Sequence, residues 1–276
     1  MGYTTADIVK KANACLRQGK NLVNAEIALG IASFENGNIE TAIKHYEKAL
    51  KHNQNSAEAH AGMGISQARA GNLDLAIKHL QQAYDLSPEC GLLANWLADA
   101  WFDKGDLDRA IEYYSEAIRN NASDSNAHND MADAYRLKGD YSRAADLYRR
   151  TLKIDPLDTN AMLELAQCQA QMNKPEEALQ TLKSLIENFP SSRDSATAMV
   201  VCATILIEKG DFNSASSWLE RSREFFPFNR PVLFQSAVCA LKQGKTDKCC
   251  EHLRRILELD PSDNRAAALL KKVSAA

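Results

Sequence analysis

The amino-acid sequence predicts an all-α solenoid of about seven helix-turn-helix repeats with a capping helix at each end, and three periodic marks carry that expectation. Gly or Asn recurs at positions 37, 71, 105, 139, 173, 210 and 244, with every interval 34 residues except one of 37. Five residues after each stands a small side chain (Ala42, Ala76, Ala110, Ala144, Ala178, Ala215, Cys249), and four further on a large one (Tyr46, Leu80, Tyr114, Tyr148, Leu182, Leu219, Leu253). Proline closes five of the seven units, at Pro88, Pro156, Pro190, Pro227 and Pro261, with Gln54 and Ala122 in the other two.

Each mark has a physical reason. A small residue at a helix crossing lets two backbones approach, and a bulky one a turn later fills the space beside the contact. Gly after a first helix can take the left-handed conformation that ends it, and the Asn or Asp that follows (Asn38, Asn72, Asp106, Asp140, Asp211) can cap the second helix. Proline cannot continue a helix, so it closes the unit. The resulting units are 23–56, 57–90, 91–124, 125–158, 159–192, 196–229 and 230–263, with a three-residue insertion at 193–195. Residues 1–22 read as an N-terminal cap whose helix puts Val9, Ala12 and Leu16 on one face, with Lys10, Lys11, Arg17 and Lys20 around it. Residues 264–276 read as a C-terminal cap carrying Leu269, Leu270 and Val273. End helices of this kind cover the apolar face of the last repeat.

The pattern resembles the tetratricopeptide repeat family. The third unit matches it through Leu97-Ala98, Trp101, Gly105, Ala110 and Tyr114, and the fourth through Met131-Ala132, Tyr135, Gly139, Ala144, Tyr148 and Pro156. The first and seventh are looser, with Glu26 and Ser236 where the family prefers apolar groups. The resemblance implies a right-handed α–α superhelix whose first helices line a concave surface, with ligand contacts at the second, fifth, ninth, twelfth and thirteenth positions of each repeat.

Mapped here, those positions form a polar ladder in the middle of the chain: Asn95 and Asp99, recurring 34 residues later as Asn129 and Asp133, with Phe102, Asn126, Arg136, Asn160 and Gln167. An Asn and an Asp four residues apart share a helix face, where the amide can donate to and accept from an extended peptide backbone. The bland alternative is a solvated stripe bonded only between repeats. Ile207, Phe234, Val238 and Leu241 make a second, apolar stretch at groove positions, which either seats a partner helix or is covered by the terminal helix. Phe225, Phe226 and Phe228 around Pro227 read as packing between repeats. Some relatives grip a chaperone's C-terminal carboxylate with Lys and Asn at the fifth and ninth positions of the first repeat. Ile27 and Ile31 stand there instead, so that clamp is not expected.

Composition removes other classes. Hydrophobic residues at 45% and charged residues at 25% are ordinary for a folded soluble chain, and a net charge of −3 lacks the basic excess of a nucleic-acid binder. The N-terminus has no continuous apolar core of a signal peptide, and Ala6 breaks the myristoylation pattern after Met1-Gly2. The longest apolar run, 196–207, is too short to span a bilayer. Seven cysteines without CxxC or zinc spacing suit reduced thiols in the cytoplasm, and Cys249-Cys250 reads as packing because Cys249 occupies the small-residue position. Six scattered histidines and the lack of HExxH, GxSxG, GxGxxG or a Walker loop give no catalytic constellation, and no metal or cofactor is expected. The leading expectation is a non-enzymatic adaptor that binds a peptide or helix of a partner protein in its concave groove. A self-assembling homo-oligomeric scaffold at an organelle or membrane surface, and a repeat module of a larger protein, remain as alternatives.

Overall fold

A computed structural model describes residues 5–274, so residues 1–4, Met1-Gly2 among them, and residues 275–276 lie outside the described part. The described residues form sixteen α-helices and no strand. They divide into two compact units, Met1–Asp140 and Tyr141–Ala276. The first holds α1 (Thr5–Gln18), α2 (Leu22–Glu35), α3 (Ile39–His52), α4 (Ala57–Arg69), α5 (Leu73–Leu86), α6 (Gly91–Asp103), α7 (Leu107–Asn120) and α8 (Ser125–Leu137). The second holds α9 (Tyr141–Ile154), α10 (Thr159–Gln171), α11 (Pro175–Asn188), α12 (Arg193–Glu208), α13 (Phe212–Phe225), α14 (Arg230–Lys242), α15 (Thr246–Leu259) and α16 (Asn264–Ser274).

Within the first unit the hairpins α2/α3, α4/α5 and α6/α7 stack in chain order, with α1 packed on α2 and α8 on α7. Their first helices also touch each other, α2 on α4, α4 on α6 and α6 on α8, and so form one layer. The second unit repeats the scheme with α10/α11, α12/α13 and α14/α15, with α9 against α10 and α16 against α15.

The periodic residues explain the hairpins. All six alanines at the crossing position, and Cys249 in the seventh, have no accessible surface, and the large residues one turn later are buried beside them. The first helices end in a double hydrogen bond: at the third hairpin the Gly105 amide donates to the Phe102 carbonyl and the Asp106 amide to that of Trp101. Gly105 sits at φ +86, left-handed backbone that costs a glycine little. Asn173 takes the same place at φ +58, a conformation Asn tolerates better than most residues. The second helices α3 and α7 stop in the same register as the others although Gln54 and Ala122 replace proline, so the turn chemistry suffices there.

Capping of the second helices follows charge. Asp106 and Asp211 accept from the amides of Arg109 and Ser214, three residues on, whereas Asn38 and Asn72, in near-identical backbone geometry, make no side-chain cap bond. A carboxylate gains from the positive end of the helix where a neutral amide gains less, and the Asn72 amide donates instead to Gln67 Oε1. The two irregular positions are satisfied locally. Buried Glu26 meets His45 Nδ1 at 2.6 Å, and the Ser236 hydroxyl donates to the Val232 carbonyl at 2.9 Å.

An imidazole pair joins α4 to α5. His60 and His79 approach Nδ1 to Nδ1 at 3.1 Å, while His60 Nε2 meets the Gln54 carbonyl at 3.0 Å. His60 therefore donates from Nε2 and accepts at Nδ1, so both rings cannot be protonated without breaking the contact. Burial, then the His60 and Lys78 charges, hold the His79 pKa below its ordinary value.

Two outcomes follow. A depressed histidine stabilises the fold above its unfolded pKa of about 6.5 and loses that contribution as pH falls through the folded value. The drop in Tm of the wild type between pH 7 and pH 5 is expected to exceed that of His79→Gln by about 2–4 °C in paired thermal melts. Ala110→Trp, which overfills a crossing with no free surface, is expected to destabilise the first unit by about 3 kcal/mol in chemical unfolding.

Candidate functional site

Because first helices contact one another, residues pointing away from their second helices line a shared face, and in the first unit that face opens into an apolar cleft of about 650 Å³. Helix α2 contributes Ile27, Ile31 and Phe34, α4 contributes Ala61, Gly62 and Ile65, and α6 contributes Leu92, Leu93 and Trp96. Ile31 and Leu92 are 46% and 50% exposed, high for side chains of their size at the mouth of a cleft. Tyr46 of α3 reaches the floor through a slot made by two glycines: a Cβ on Gly30 or Gly62 would lie 2.7 or 2.4 Å from its ring. Its hydroxyl has no hydrogen-bond partner among the described residues, and burial, then the Glu35 charge, raise its pKa to about 12, so it stays a neutral donor. Glu58 and Glu89 stand at the rim.

In the sequence Ile27 and Ile31 stand out only as lacking the Lys and Asn of a carboxylate clamp, and the cleft they line with Ile65 was not expected. The available signal was their coincidence at groove positions in consecutive repeats, on the same side as Leu92.

Farther along α6 the polar ladder is drawn inward. Asn95 is buried and its amide donates to Asp130 Oδ2 at 3.3 Å, while Asp99 accepts from the Tyr114 hydroxyl at 2.7 Å. Asp130, absent from the expected set, thus joins α8 to α6. Only a bond across 35 residues reveals it, which no local pattern shows. Burial, then the Asp99 charge, raise the Asp130 pKa to about 6, and burial also raises Asp99 against the opposing Tyr114 bond. The Oδ1 atoms of Asn95 and Asn129 are buried without a partner.

The remaining expected residues fall as follows. Asp133 and Arg136 form a half-buried pair at 3.0 Å on α8. Phe102 packs partly buried against the Ala98–Tyr114 core, and Asn126 is exposed at the start of α8. In the second unit Asn160 is exposed, and Gln167 donates to Glu164 on its own helix. Ile207 packs on the core of α12 and α13. Phe234 and Leu241 pack on the cluster that α16 completes with Ala266 and Val273, and Val238 is half-buried. The Arg265 guanidinium lies 5.2 Å from the centre of the Phe234 ring. Phe225 and Phe228 are exposed and Phe226 half-buried.

The cysteines are free thiols. Burial lifts the Cys202 pKa to about 12 and raises that of Cys249, which keeps both as neutral packing groups rather than nucleophiles. Among the described residues no group of His, Cys, Asp or Glu is arranged to hold a metal ion, and no helix is long and apolar enough to cross a membrane.

Stacked helical hairpins joined by left-handed caps, with one lined face, define a helical repeat protein. The chain belongs to the tetratricopeptide repeat family, whose profiles match residues 27–89, 62–125, 135–202 and 232–263. No curated protein sequence matches it. Among solved structures, the fold is similar to the C-terminal part of a tetratricopeptide repeat protein from Cytophaga hutchinsonii, at 17% identity and TM-score 0.73, covering 88% of this chain and 98% of that one. It is also similar to YrrB, described as a repeat protein with an unusual peptide-binding site, at 20% identity and TM-score 0.54, covering 71% and 100%. MamA of Desulfovibrio magneticus is similar at 14% identity and TM-score 0.58, covering 63% and 98%.

A carboxyl with a raised pKa binds its proton more tightly in the folded state, so its contribution to stability is present at low pH and is lost as pH rises from about 4 to about 6. Asp130→Asn keeps the contact with Asn95 and removes that loss. Water access reduces the full effect of the shift, so the variant is expected to gain about 1–2 kcal/mol at pH 7 and nothing at pH 3.5 in denaturant unfolding.

Proposed function

We propose that the chain is a non-enzymatic protein-interaction scaffold that holds a segment of a partner protein along the first-helix face of its first unit. The apolar cleft carries this reading. An open, half-exposed cleft of about 650 Å³ with Ile31 and Leu92 at its mouth and the Tyr46 hydroxyl on its floor costs free energy in water unless something fills it. The family supports the reading, and so does the peptide-binding site named for YrrB.

Asn95, Asp99, Phe102, Asn129, Asp133 and Arg136 extend the contact surface along α6 and α8, and Asn126 lies at its edge. In the second unit Asn160 and Gln167 are the corresponding polar positions, and Ile207, Phe234, Val238 and Leu241 form a separate secondary surface. Free thiols and the lack, among the described residues, of a membrane-crossing helix support a cytoplasmic setting.

Capture from a lysate of the source cell, read by mass spectrometry, tests the cleft against the ladder. Ile31→Asp/Leu92→Asp, with helicity unchanged by circular dichroism, is expected to lose the partners that wild type retains. Identical partner sets for the two proteins would exclude the cleft. Loss only in Asn95→Ala/Asn129→Ala/Arg136→Glu would move the contact to the ladder.

A further inference from the structure

Three hairpins carry tyrosine as the large residue one turn after the crossing, Tyr46, Tyr114 and Tyr148, and they differ at the place fifteen residues earlier. Asp99 stands there for Tyr114 and Asp133 for Tyr148, but Ile31 for Tyr46. Asp99 accepts from the Tyr114 hydroxyl at 2.7 Å within its hairpin. The first hairpin has a hydrocarbon in place of that acceptor, and the Tyr46 hydroxyl, on a residue only 3% exposed, has no protein partner among the described residues. We propose that an extended segment of the partner supplies the missing acceptor: one of its backbone carbonyls accepts from the Tyr46 hydroxyl, its apolar side chains lie against Ile31 and Leu92, and a Lys or Arg beside them faces Glu58 and Glu89. This assignment rests on the peptide-binding reading above and states which chemistry the cleft selects.

The slot is shaped for the end of the tyrosine ring. A Cβ on Gly30 would meet Tyr46 Cε1 at 2.7 Å and Cζ at 2.8 Å, and one on Gly62 would meet both atoms at 2.4 Å, so the two glycines let the hydroxyl end of the ring pass between α2 and α4. Tyr46 therefore springs from α3, behind the layer of first helices, and still lines the cleft in front of it. Packing at the crossing does not require a hydroxyl, because Leu80 and Leu182 fill the same position with no polar atom. In the free protein water serves the Tyr46 hydroxyl, and a ligand carbonyl seated there replaces that water in a drier setting where the bond is stronger.

The surroundings choose among acceptors. The Glu35 charge acts on Tyr46, and Glu58 and Glu89 are exposed at the cleft edge without an ion pair among the described residues. Residues 1–140 carry 14 Lys and Arg against 19 Asp and Glu, a net −5, although the whole chain is only −3. A ligand carboxylate is repelled by this field, a neutral carbonyl is not, and a cation beside it is attracted. An α-helix spends its carbonyls on its own amides, whereas an extended chain leaves them free to accept. Size agrees: three packed first helices at about 8–10 Å spacing present roughly 16–20 Å, the span of about five extended residues.

The probe is a phage-displayed library of random heptapeptides selected on the immobilised full chain, with enriched peptides synthesised with blocked ends and titrated by fluorescence anisotropy. Enriched sequences are expected to join several apolar residues to a flanking Lys or Arg. Tyr46→Phe is expected to weaken their binding about fivefold. Its Tm stays within about 1 °C of wild type because no bond of the free protein is lost, whereas Tyr114→Phe, which strips Asp99 of its donor, melts about 3 °C lower. Changing one peptide amide to an ester, a poorer acceptor, is expected at one position to weaken binding to wild type and to leave binding to Tyr46→Phe unmoved. No enrichment, an acidic consensus, or the same ester response in both proteins each overturns the proposal. Binding lost in Leu92→Asp but unchanged in Tyr46→Phe overturns the carbonyl seat and keeps the cleft. Binding unchanged in Leu92→Asp overturns the cleft reading and the seat with it.

Discussion

An alanine stripped of all accessible surface at each helix crossing sets how closely the two helices of a hairpin approach, and the other regularities of the fold are placed relative to it. With no side chain beyond Cβ, the crossing residue lets the facing backbone come near, and the Tyr or Leu one turn later fills the wedge that opens beyond it. The left-handed cap five residues earlier then has a fixed distance to span. Cys249 shows the tolerance: a side chain one sulfur larger than alanine's still has no exposed surface at the seventh crossing. Asn173 shows the same for the cap, where an L-residue holds a conformation otherwise given to glycine.

That geometry also decides which surface is free to bind. A second helix packs on its own first helix and on the first helix that follows, and its outer face is left to solvent. A first helix touches its own partner, the preceding second helix and the neighbouring first helices, as α4 touches α5, α3, α2 and α6. Little of its circumference remains, and what remains is a strip shared with its neighbours. Apolar residues on that strip cannot be needed for the hairpin, because the hairpin's contacts are already made elsewhere. Ile31 and Leu92 are therefore poorly explained by packing, whereas Leu97 and Ala98 on the same α6 are fully explained by it.

The repeats and their turns were legible in the sequence because each depends on residues within one 34-residue window. Expected caps at Asn38 and Asn72 did not form, since sequence shows the position but not whether a neutral amide competes for that amide proton. The site was less legible. Asn95 and Asp99 were visible as one helix face, but their partners Asp130 and Tyr114 come from other helices, and Asp130 falls one place off the ligand-contact positions of the family. Ile27 and Ile31 were read for the clamp they lack rather than for the cleft they line. For Phe234 and Leu241 the sequence offered cover by the terminal helix as one of two readings, and they pack on the cluster that α16 completes.

Asp99 and Asp130 differ from the other buried polar groups in how fully the fold satisfies them. Ser236 and Glu26 sit at irregular positions too, yet each has its bond: a carbonyl one turn back, and an imidazole on the adjacent helix. Burial there is compensated, and the fold accounts for both residues. Asp99 and Asp130 are compensated only in part. Burial and the Asp99 charge raise the proton affinity of Asp130, burial and the Asp103 charge raise that of Asp99, and the Oδ1 atoms of Asn95 and Asn129 accept nothing. Such an arrangement lowers the stability of the free protein at neutral pH, and hydrophobic residues of similar volume would remove the cost.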